Sequence, residues 1–243
     1  MKILFIQSRI DPGMQEHEYD CVVHSLALPK SQIEVINTHK VIPRETDLDG
    51  VDAVVLGATG KTCILREPRA RLEALARFLL AARKRRIPML GINYGGHLLT
   101  IVFGGAVAHD ETRREIGSSK MCRCPAAWDD PIFRHLPETF VAQVAHLDRV
   151  DRMPEGAVTL LVSEKGDLEA WSFPGEGIYA LEFQPESDKD DLASRLVGYQ
   201  ETYAGAPGDL EYVMLRLRPS PEASRVLPLF LSEVVKKDMA ANA

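Results

Sequence analysis

The first hundred residues alternate between short apolar runs and longer stretches in which apolar residues recur at helical spacing. The apolar runs predict buried strands, and the longer stretches predict amphipathic helices. Alternation of this kind is typical of a parallel sheet with helices on both faces. The predicted strands are 2–7, 32–37, 51–56 and 87–92, and the predicted helices are 15–26, 68–86 with a basic end, and 94–103.

From residue 106 onward the pattern changes to short β-like runs separated by turns rich in Pro and Gly. This pattern predicts antiparallel strands at 140–145, 158–163, 168–172 and 178–183, added as a ribbon to the parallel sheet. Helices are predicted again at 189–202 and 221–237, and the segment 203–219 between them has the composition of a connecting loop or a lid. Because no low-complexity linker or repeat divides the chain, we expect residues 1–243 to form a single domain.

Composition excludes several classes of protein. The chain of 243 residues is 45% hydrophobic and 26% charged, with a formal net charge of −6, which is typical of a globular protein and unlike a nucleic-acid-binding one. No apolar run approaches the roughly 20 residues of a membrane span, and the N-terminus does not have the pattern of a secretory signal. We therefore expect a cytoplasmic protein whose four cysteines are reduced thiols.

The segment 91–97, Gly-Ile-Asn-Tyr-Gly-Gly-His, has the pattern of a nucleophile elbow. A buried strand runs directly into glycines, which permit a sharp turn into a helix and a close approach of the backbone. Such a turn would place the side chain of residue 93 in a pocket. Asn93 carries a carboxamide, which is neither a useful nucleophile nor a general base at neutral pH.

Several segments together resemble the class I glutamine amidotransferase family. The elbow is similar to that family's Gly-Ile-Cys-Tyr-Gly-His-Gln, and the block Glu-Phe-Gln-Pro-Glu is similar to its Gln-Phe-His-Pro-Glu. Ala-His-Leu-Asp-Arg-Val is similar to its Ser-His-x-Asp-x-Val. The matching segments, in the family's order, are 90–97, 103–107, 115–117, 130–140, 145–150 and 181–186. The resemblance implies a flavodoxin-like α/β fold with a mostly parallel central sheet, helices on both faces and an added antiparallel ribbon.

In that family a cysteine attacks the side-chain amide of glutamine, a histidine transfers the proton and a glutamate orients the histidine. Carried over by position, these sites are Asn93, Gln184 and Glu186, and the glutamine-contacting position is His97. Two of the three groups are carboxamides, so the resemblance implies no ordinary glutaminase activity. Restoring Cys at position 93 and His at position 184 is expected to return some activity if the cavity keeps the family's geometry.

The same cavity would suit a small amino-acid-like or carboxylate ligand. The backbone N–H of Tyr94 and one from the turn that begins at Gly57 and Ala58 would form a nest resembling an oxyanion hole. His97 lies one helical turn after Asn93 and faces the same cavity in the predicted helix. His146 and Asp148 belong to a matching segment and are candidate ligand contacts.

Three functions follow, each with a different use of this pocket. The preferred one is a protein that binds a small ligand or a partner protein, such as a separate synthase or biosynthetic enzyme, without glutaminase turnover. A repurposed enzyme of specialised metabolism would use the pocket for chemistry that needs no cysteine, with His97, Glu186 and Tyr94 as the candidate groups. An ammonia-supplying subunit would need a displaced nucleophile, for which Cys63 beside Lys61 is the candidate.

Two further residue sets have competing interpretations. A two-histidine, one-carboxylate metal site would need the residue types found at His97, His146 and Glu186. The preferred role of His146 is instead a hydrogen bond within its loop. No metal or cofactor is expected. Glu186 is expected to pair with Gln184 or to cap the helix that follows it.

Overall fold

Eleven strands, in two sheets, are present among residues 1–203 and 208–241, which are the residues that the computed structural model describes. Every strand predicted from the hydrophobic pattern is present, with ends shifted by at most two residues. The strands are β1 Ile3–Gln7, β2 Ile33–Asn37, β3 Ala53–Leu56, β4 Met89–Ile92, β5 Ala106–His109, β6 Glu115–Arg123, β7 Thr139–His146, β8 Asp148–Arg152, β9 Val158–Ser163, β10 Leu168–Phe173 and β11 Ile178–Leu181.

The larger sheet has nine strands in the order β2-β1-β3-β4-β11-β10-β9-β6-β7. The five strands from β2 to β11 are parallel to one another. The segment predicted at 178–183 as part of the antiparallel ribbon is therefore the last parallel strand, β11, which pairs parallel with β4 and antiparallel with β10. The remaining neighbours, from β11 to β7, pair antiparallel and form the added ribbon. The predicted fold class is therefore confirmed. Strands β5 and β8 pair in a separate two-stranded sheet, which the hydrophobic pattern did not predict.

Helices cover both faces of the parallel strands. Side chains alternate along β1, so Phe5 packs in a core with Val22 of the first helix, whereas Leu4 packs in a second core with Phe78 and Leu98 of the next two helices. The helices are α1 Pro12–Leu26, α2 Arg69–Lys84, α3 Tyr94–Val102, α4 Lys189–Gly198, α5 Gln200–Tyr203, α6 Asp209–Met214, α7 Val226–Leu229 and α8 Lys236–Ala241, with a π-helical segment, Phe230–Val235, between the last two.

Helix α1 begins earlier than its apolar pattern predicts, at Pro12. Asp11 is the N-cap and its side chain accepts a hydrogen bond from the Met14 N–H, which adds a first turn without apolar periodicity. The single helix predicted at 221–237 is instead divided among 3₁₀, α and π segments. Part of the predicted loop or lid at 203–219 forms α6, and its residues 204–207 lie outside the described residues. Within the described chain, no helix is both long and apolar enough for a membrane span.

Candidate functional site

The predicted elbow is a sharp turn between β4 and α3. Asn93 has φ 50° and ψ −109°, a backbone conformation that L residues rarely adopt. The glycines around it are required by close packing: a Cβ added at Gly91 would lie 2.5 Å from the carbonyl oxygen of Gly95. This packing holds residue 93 between the end of a buried strand and the first turn of a helix.

The Asn93 side chain is buried, with 5% of its surface exposed, and its carboxamide is anchored to the neighbouring strand. Its Nδ2 donates a hydrogen bond of 3.2 Å to the carbonyl of Glu182, and its backbone N–H donates one of 2.6 Å to the carbonyl of Leu181. The carboxamide is therefore fixed at the edge of the sheet where β4 and β11 end.

A pocket of about 200 Å³ opens beside Asn93. It brings together five residues predicted for the site from the sequence. These are Asn93, Tyr94, His97, His146 and Asp148. The other lining residues include the predicted alternative nucleophile and side chains of both charges; they are Thr59, Gly60, Lys61, Thr62, Cys63, Arg66, His109, Glu111, Ala145, Leu147, Thr202 and Tyr203.

His97 forms an ion pair with Glu182 at the base of this pocket. The His97 Nε2 lies 2.8 Å from the Glu182 Oε2, and each side chain is 3% exposed. Burial alone would lower the pKa of His97, but the Glu182 carboxylate outweighs this effect and the pKa is raised. The Glu182 carboxylate therefore favours the protonated form of the His97 imidazole.

Gln184 and Glu186 lie outside the pocket lining because both contact the buried guanidinium of Arg195. The Arg195 Nη1 donates to the Gln184 Oε1 and, at 2.6 Å, to the Glu186 Oε1. Glu186 therefore pairs with Arg195 and reaches Gln184 only through it. The helix-capping role considered for Glu186 belongs to Asp188, whose side chain accepts from the N–H groups of Asp190 and Asp191.

The N–H groups of Gly57 and Ala58 already have partners within the protein. The Gly57 N–H donates to the carbonyl of Ile6, and the Ala58 N–H donates to the Glu18 carboxylate at 2.9 Å. Glu18 is itself paired with Arg9 at 3.1 Å. The turn instead contributes Thr59 and Gly60 to the pocket lining, so a nest formed by Ala58 would require Glu18 to give up its hydrogen bond.

Two other predicted residues have their reactive groups in protonated form. Burial and the neighbouring Asp148 raise the pKa of the Cys63 thiol to about 11, whereas the effect expected from Lys61 was a lower value. The hydroxyl of Tyr94 donates to Glu67 at 2.8 Å, and burial together with this carboxylate raises the pKa of the phenol. Neither group is a ready nucleophile at neutral pH.

Comparisons with known proteins agree with this fold and this arrangement of segments. Residues 21–197 match the family model for "Glutamine amidotransferase class-I". The chain belongs to the class I glutamine amidotransferase family. Among curated relatives, GMP synthase (glutamine-hydrolyzing) of Thermosipho melanesiensis is 34% identical over 111 residues, which are 46% of this chain and 21% of that protein. A GMP synthase (glutamine-hydrolyzing) subunit of Methanocaldococcus jannaschii is 26% identical over 147 residues, 60% of this chain and 74% of the relative.

Solved structures share the fold over almost the whole chain. A glutamine amidotransferase from Thermotoga maritima superposes with a TM-score of 0.73 at 19% identity, covering 97% of both chains. One from Methylobacillus flagellatus gives the same TM-score at 17% identity, covering 97% of this chain and 94% of that one. The matched part spans only about a fifth of the full-length GMP synthases, for example 21% of the Thermosipho protein.

In this class I amidotransferase, two further positions differ from the family's motifs. His97 stands where the elbow motif has its last glutamine, and Glu182 stands where the following block begins with glutamine. The structure joins these two positions in the ion pair described above. Sequence reasoning singled out His97 but missed Glu182, although its departure from the block was a visible signal.

Arg195 and two buried glutamates were also missed. Arg195 lies on the buried side of α4 between Leu192 and Leu196, so an arginine at an apolar helical position was the available signal. Glu115 and Glu169 are buried on strands β6 and β10, where charged residues are rarely buried without partners.

Three groups of side chains among the described residues have atoms close enough to share a metal ion. They are Cys63, His109 and Asp148; His17, Cys21 and Asp191; and Glu115, His146 and Glu169. The set considered from the sequence is not one of them, because Glu186 is held by Arg195 instead of lying with His97 and His146. The hydrogen bond expected within the loop is present, with the His146 Nδ1 at 3.1 Å from the carbonyl of Asp148.

Proposed function

We propose that this class I amidotransferase-like protein binds a small amino-acid-like or carboxylate ligand in the pocket beside Asn93 and lacks thiol-dependent glutaminase activity. The observation that carries the proposal is the elbow itself. Its backbone turn is retained, but it holds a carboxamide that is hydrogen-bonded to the Glu182 carbonyl. A carboxamide can orient a ligand through its donor and acceptor, but it cannot form the acyl intermediate.

The second catalytic position supports the same conclusion. Gln184 is bound to Arg195 and does not line the pocket, and its carboxamide cannot accept a proton from a nucleophile as the family's histidine does. The Cys63 thiol is a poor substitute, because a pKa of about 11 leaves roughly one thiol in 10⁴ ionised at pH 7. These facts disfavour an ammonia-supplying subunit with Cys63 as the displaced nucleophile.

The composition of the pocket favours a small zwitterion. Lys61 and Arg66 supply cationic groups for a carboxylate, while Glu111 and Asp148 supply anionic groups for an amine. At about 200 Å³ the pocket is smaller than the usual site for a drug-sized molecule, which starts near 300 Å³. The proposed partner is a synthase or biosynthetic enzyme that receives or supplies this ligand.

A second candidate function is favoured by the ion pair of His97 and Glu182. A buried imidazole with a raised pKa beside a pocket is a suitable general acid, so the pocket would suit a repurposed enzyme acting on a small metabolite. Loss of turnover in His97→Gln with retention of ligand binding would distinguish this enzyme from a binding protein.

Calorimetric titration of the purified protein with L-glutamate and with L-glutamine tests the binding proposal. We expect saturable binding of one of them, weakened at least tenfold in Arg66→Ala. Arg69→Ala is the matched control, because the Arg69 side chain is 92% exposed and lies outside the pocket lining. Absence of binding of both amino acids, or equal loss in both variants, would contradict the proposal.

A further inference from the structure

Three side chains from three strands converge behind the pocket. Glu115 begins β6, His146 ends β7 directly opposite it, and Glu169 lies on β10. One ligand atom from each lies within 4.8 Å of the others, and all three residues are buried. His146 also lines the pocket, so the cluster is next to the site already described.

Glu169 has no visible means of balancing its charge. The residue is 0% exposed, and among the described residues neither carboxylate oxygen has a hydrogen-bond partner. The charges nearest to it are mostly carboxylates of Glu115, Glu182 and Asp167, and the cation that opposes them is Lys165. A buried carboxylate in these surroundings requires a proton or a bound cation.

His146 belongs to the same cluster and has an unpaired ring nitrogen. Its Nδ1 lies 3.1 Å from the carbonyl oxygen of Asp148, which can only accept, so Nδ1 carries the hydrogen. In a neutral ring with its hydrogen on Nδ1, the lone pair is on Nε2. Within the described structure this buried Nε2 has no partner. Histidines that bind metals have this arrangement, with the other ring nitrogen fixed by a carbonyl or carboxylate.

We propose that Glu115, His146 and Glu169 bind a divalent first-row transition-metal ion. Two carboxylate oxygens and one imidazole nitrogen are a donor set suited to Zn²⁺, Mn²⁺ or Fe²⁺, and the ion's charge offsets both carboxylates. The proposal does not rest on the function proposed above: His146 lines the pocket as well, but the ligand argument depends on Lys61, Arg66, Glu111 and Asp148, none of which belongs to the cluster.

The other two clusters do not need an ion to the same degree, because their groups satisfy one another. The His109 Nδ1 lies 2.7 Å from the Asp148 Oδ1, and the His17 Nε2 lies 3.5 Å from the Asp191 Oδ1. Both of these clusters also include partly exposed side chains. Of the three, only the cluster around Glu169 combines a fully buried acid and an imidazole nitrogen that both have no partner among the described residues. Its third member, Glu115, accepts hydrogen bonds from Ser119 and Ser163 and lies 3.7 Å from the Lys165 Nζ.

Metal uptake by the chelator-treated full chain tests the proposal. We expect calorimetric titration with Zn²⁺, Mn²⁺ and Fe²⁺ (anaerobically for iron) to reveal near-stoichiometric binding of at least one. The bound ion should raise the unfolding temperature by roughly 5–10 °C at a hundredfold excess over its Kd. Co²⁺ should give the absorption bands of a nitrogen- and oxygen-bound ion, which report the site without any activity.

Variants at the cluster separate this site from binding elsewhere. Glu169→Gln removes one ligand charge while keeping the shape of the side chain, and is expected to abolish the uptake and the thermal shift. Glu164→Gln, a nearby exposed glutamate, is the control and should retain both. His146→Gln should remove the Co²⁺ bands.

Two results would overturn the proposal. Metal uptake that persists in Glu169→Gln would place the ion elsewhere. A wild-type protein that takes up none of these ions, with Glu169→Gln equally stable, would mean that a proton on Glu169 occupies the cluster instead. Binding of L-glutamate or L-glutamine to the chelator-treated protein, measured separately, tests the pocket without the ion.

Discussion

Replacement of Arg195 by methionine is expected to destabilise the protein strongly. The guanidinium is 2% exposed and donates both to Gln184 and to Glu186, whose other carboxylate oxygen has no partner among the described residues. Methionine fills similar space but leaves Glu186 as an uncompensated buried charge. Breaking a buried ion pair in this way costs about 3–5 kcal/mol of unfolding free energy.

The magnitude can be measured by urea unfolding followed by circular dichroism. For a chain of 243 residues, 3–5 kcal/mol corresponds to a fall of roughly 6–20 °C in unfolding temperature. The double variant Arg195→Met/Glu186→Gln should recover at least about 1 kcal/mol of the loss, because no buried charge remains. Arg69→Met, on the exposed side of α2, is the control and should not shift the midpoint.

A loss below about 1 kcal/mol in Arg195→Met would refute this reasoning, since it would mean that Glu186 is solvated or protonated at little cost. A double variant no more stable than Arg195→Met would refute it as well, because the loss would then come from packing alone. Either result would mean that the contacts with Arg195 do not hold Glu186 and Gln184 outside the pocket.

Three further predictions concern the elbow and the ion pair. Gly91→Ala should destabilise the fold by at least about 2 kcal/mol in urea unfolding, because its Cβ would lie 2.5 Å from the backbone oxygen of Gly95; a near-neutral effect would contradict the close packing of the turn. Asn93→Gly should stabilise the fold by about 1–3 kcal/mol in the same assay, because glycine adopts this positive φ without strain. A loss of stability would mean that the hydrogen bond of the Asn93 carboxamide stabilises the fold by more than the backbone strain destabilises it. The stability contributed by the raised pKa of His97 is fully present below the unfolded pKa of 6.5 and is lost as the pH rises through the folded pKa. The difference in unfolding free energy between the wild type and Glu182→Gln should therefore be larger near pH 6 than near pH 9. A difference that does not change with pH would contradict the assigned ion pair.

Periodicity was sufficient for the strands and helices that bury a continuous apolar face. It failed at β6, where Glu115–Arg123 is mostly polar, and at β8, whose charged residues in Asp148–Arg152 hide the alternation. It also failed at β5, which pairs with β8 outside the main sheet. The start of α1 depended on a side-chain cap and not on apolar spacing. The π segment near the C-terminus has no sequence signal that distinguishes it from an ordinary helix.

The residues that line the pocket could be predicted from the sequence only where a motif fixes their positions. Asn93 and His97 share a turn and the following helix, so their proximity followed from local geometry. The direction of the Gln184 side chain did not follow from local geometry, because it depends on a hydrogen bond from Arg195, which lies on a different element. The convergence of Glu115 and Glu169 likewise depends on the order of β6, β9 and β10 in the sheet, which local patterns do not determine.

Measurement of glutamate released from L-glutamine by the wild-type protein, at high protein concentration, tests the central claim most directly. Cys63→Ala and the variant Asn93→Cys/Gln184→His are measured beside it. We expect no release above background by the wild type or by Cys63→Ala, and a gain in the double variant that is limited by Arg195, which holds Glu186. Glutamate released in proportion to wild-type protein, whether or not Cys63→Ala abolishes it, would contradict the account.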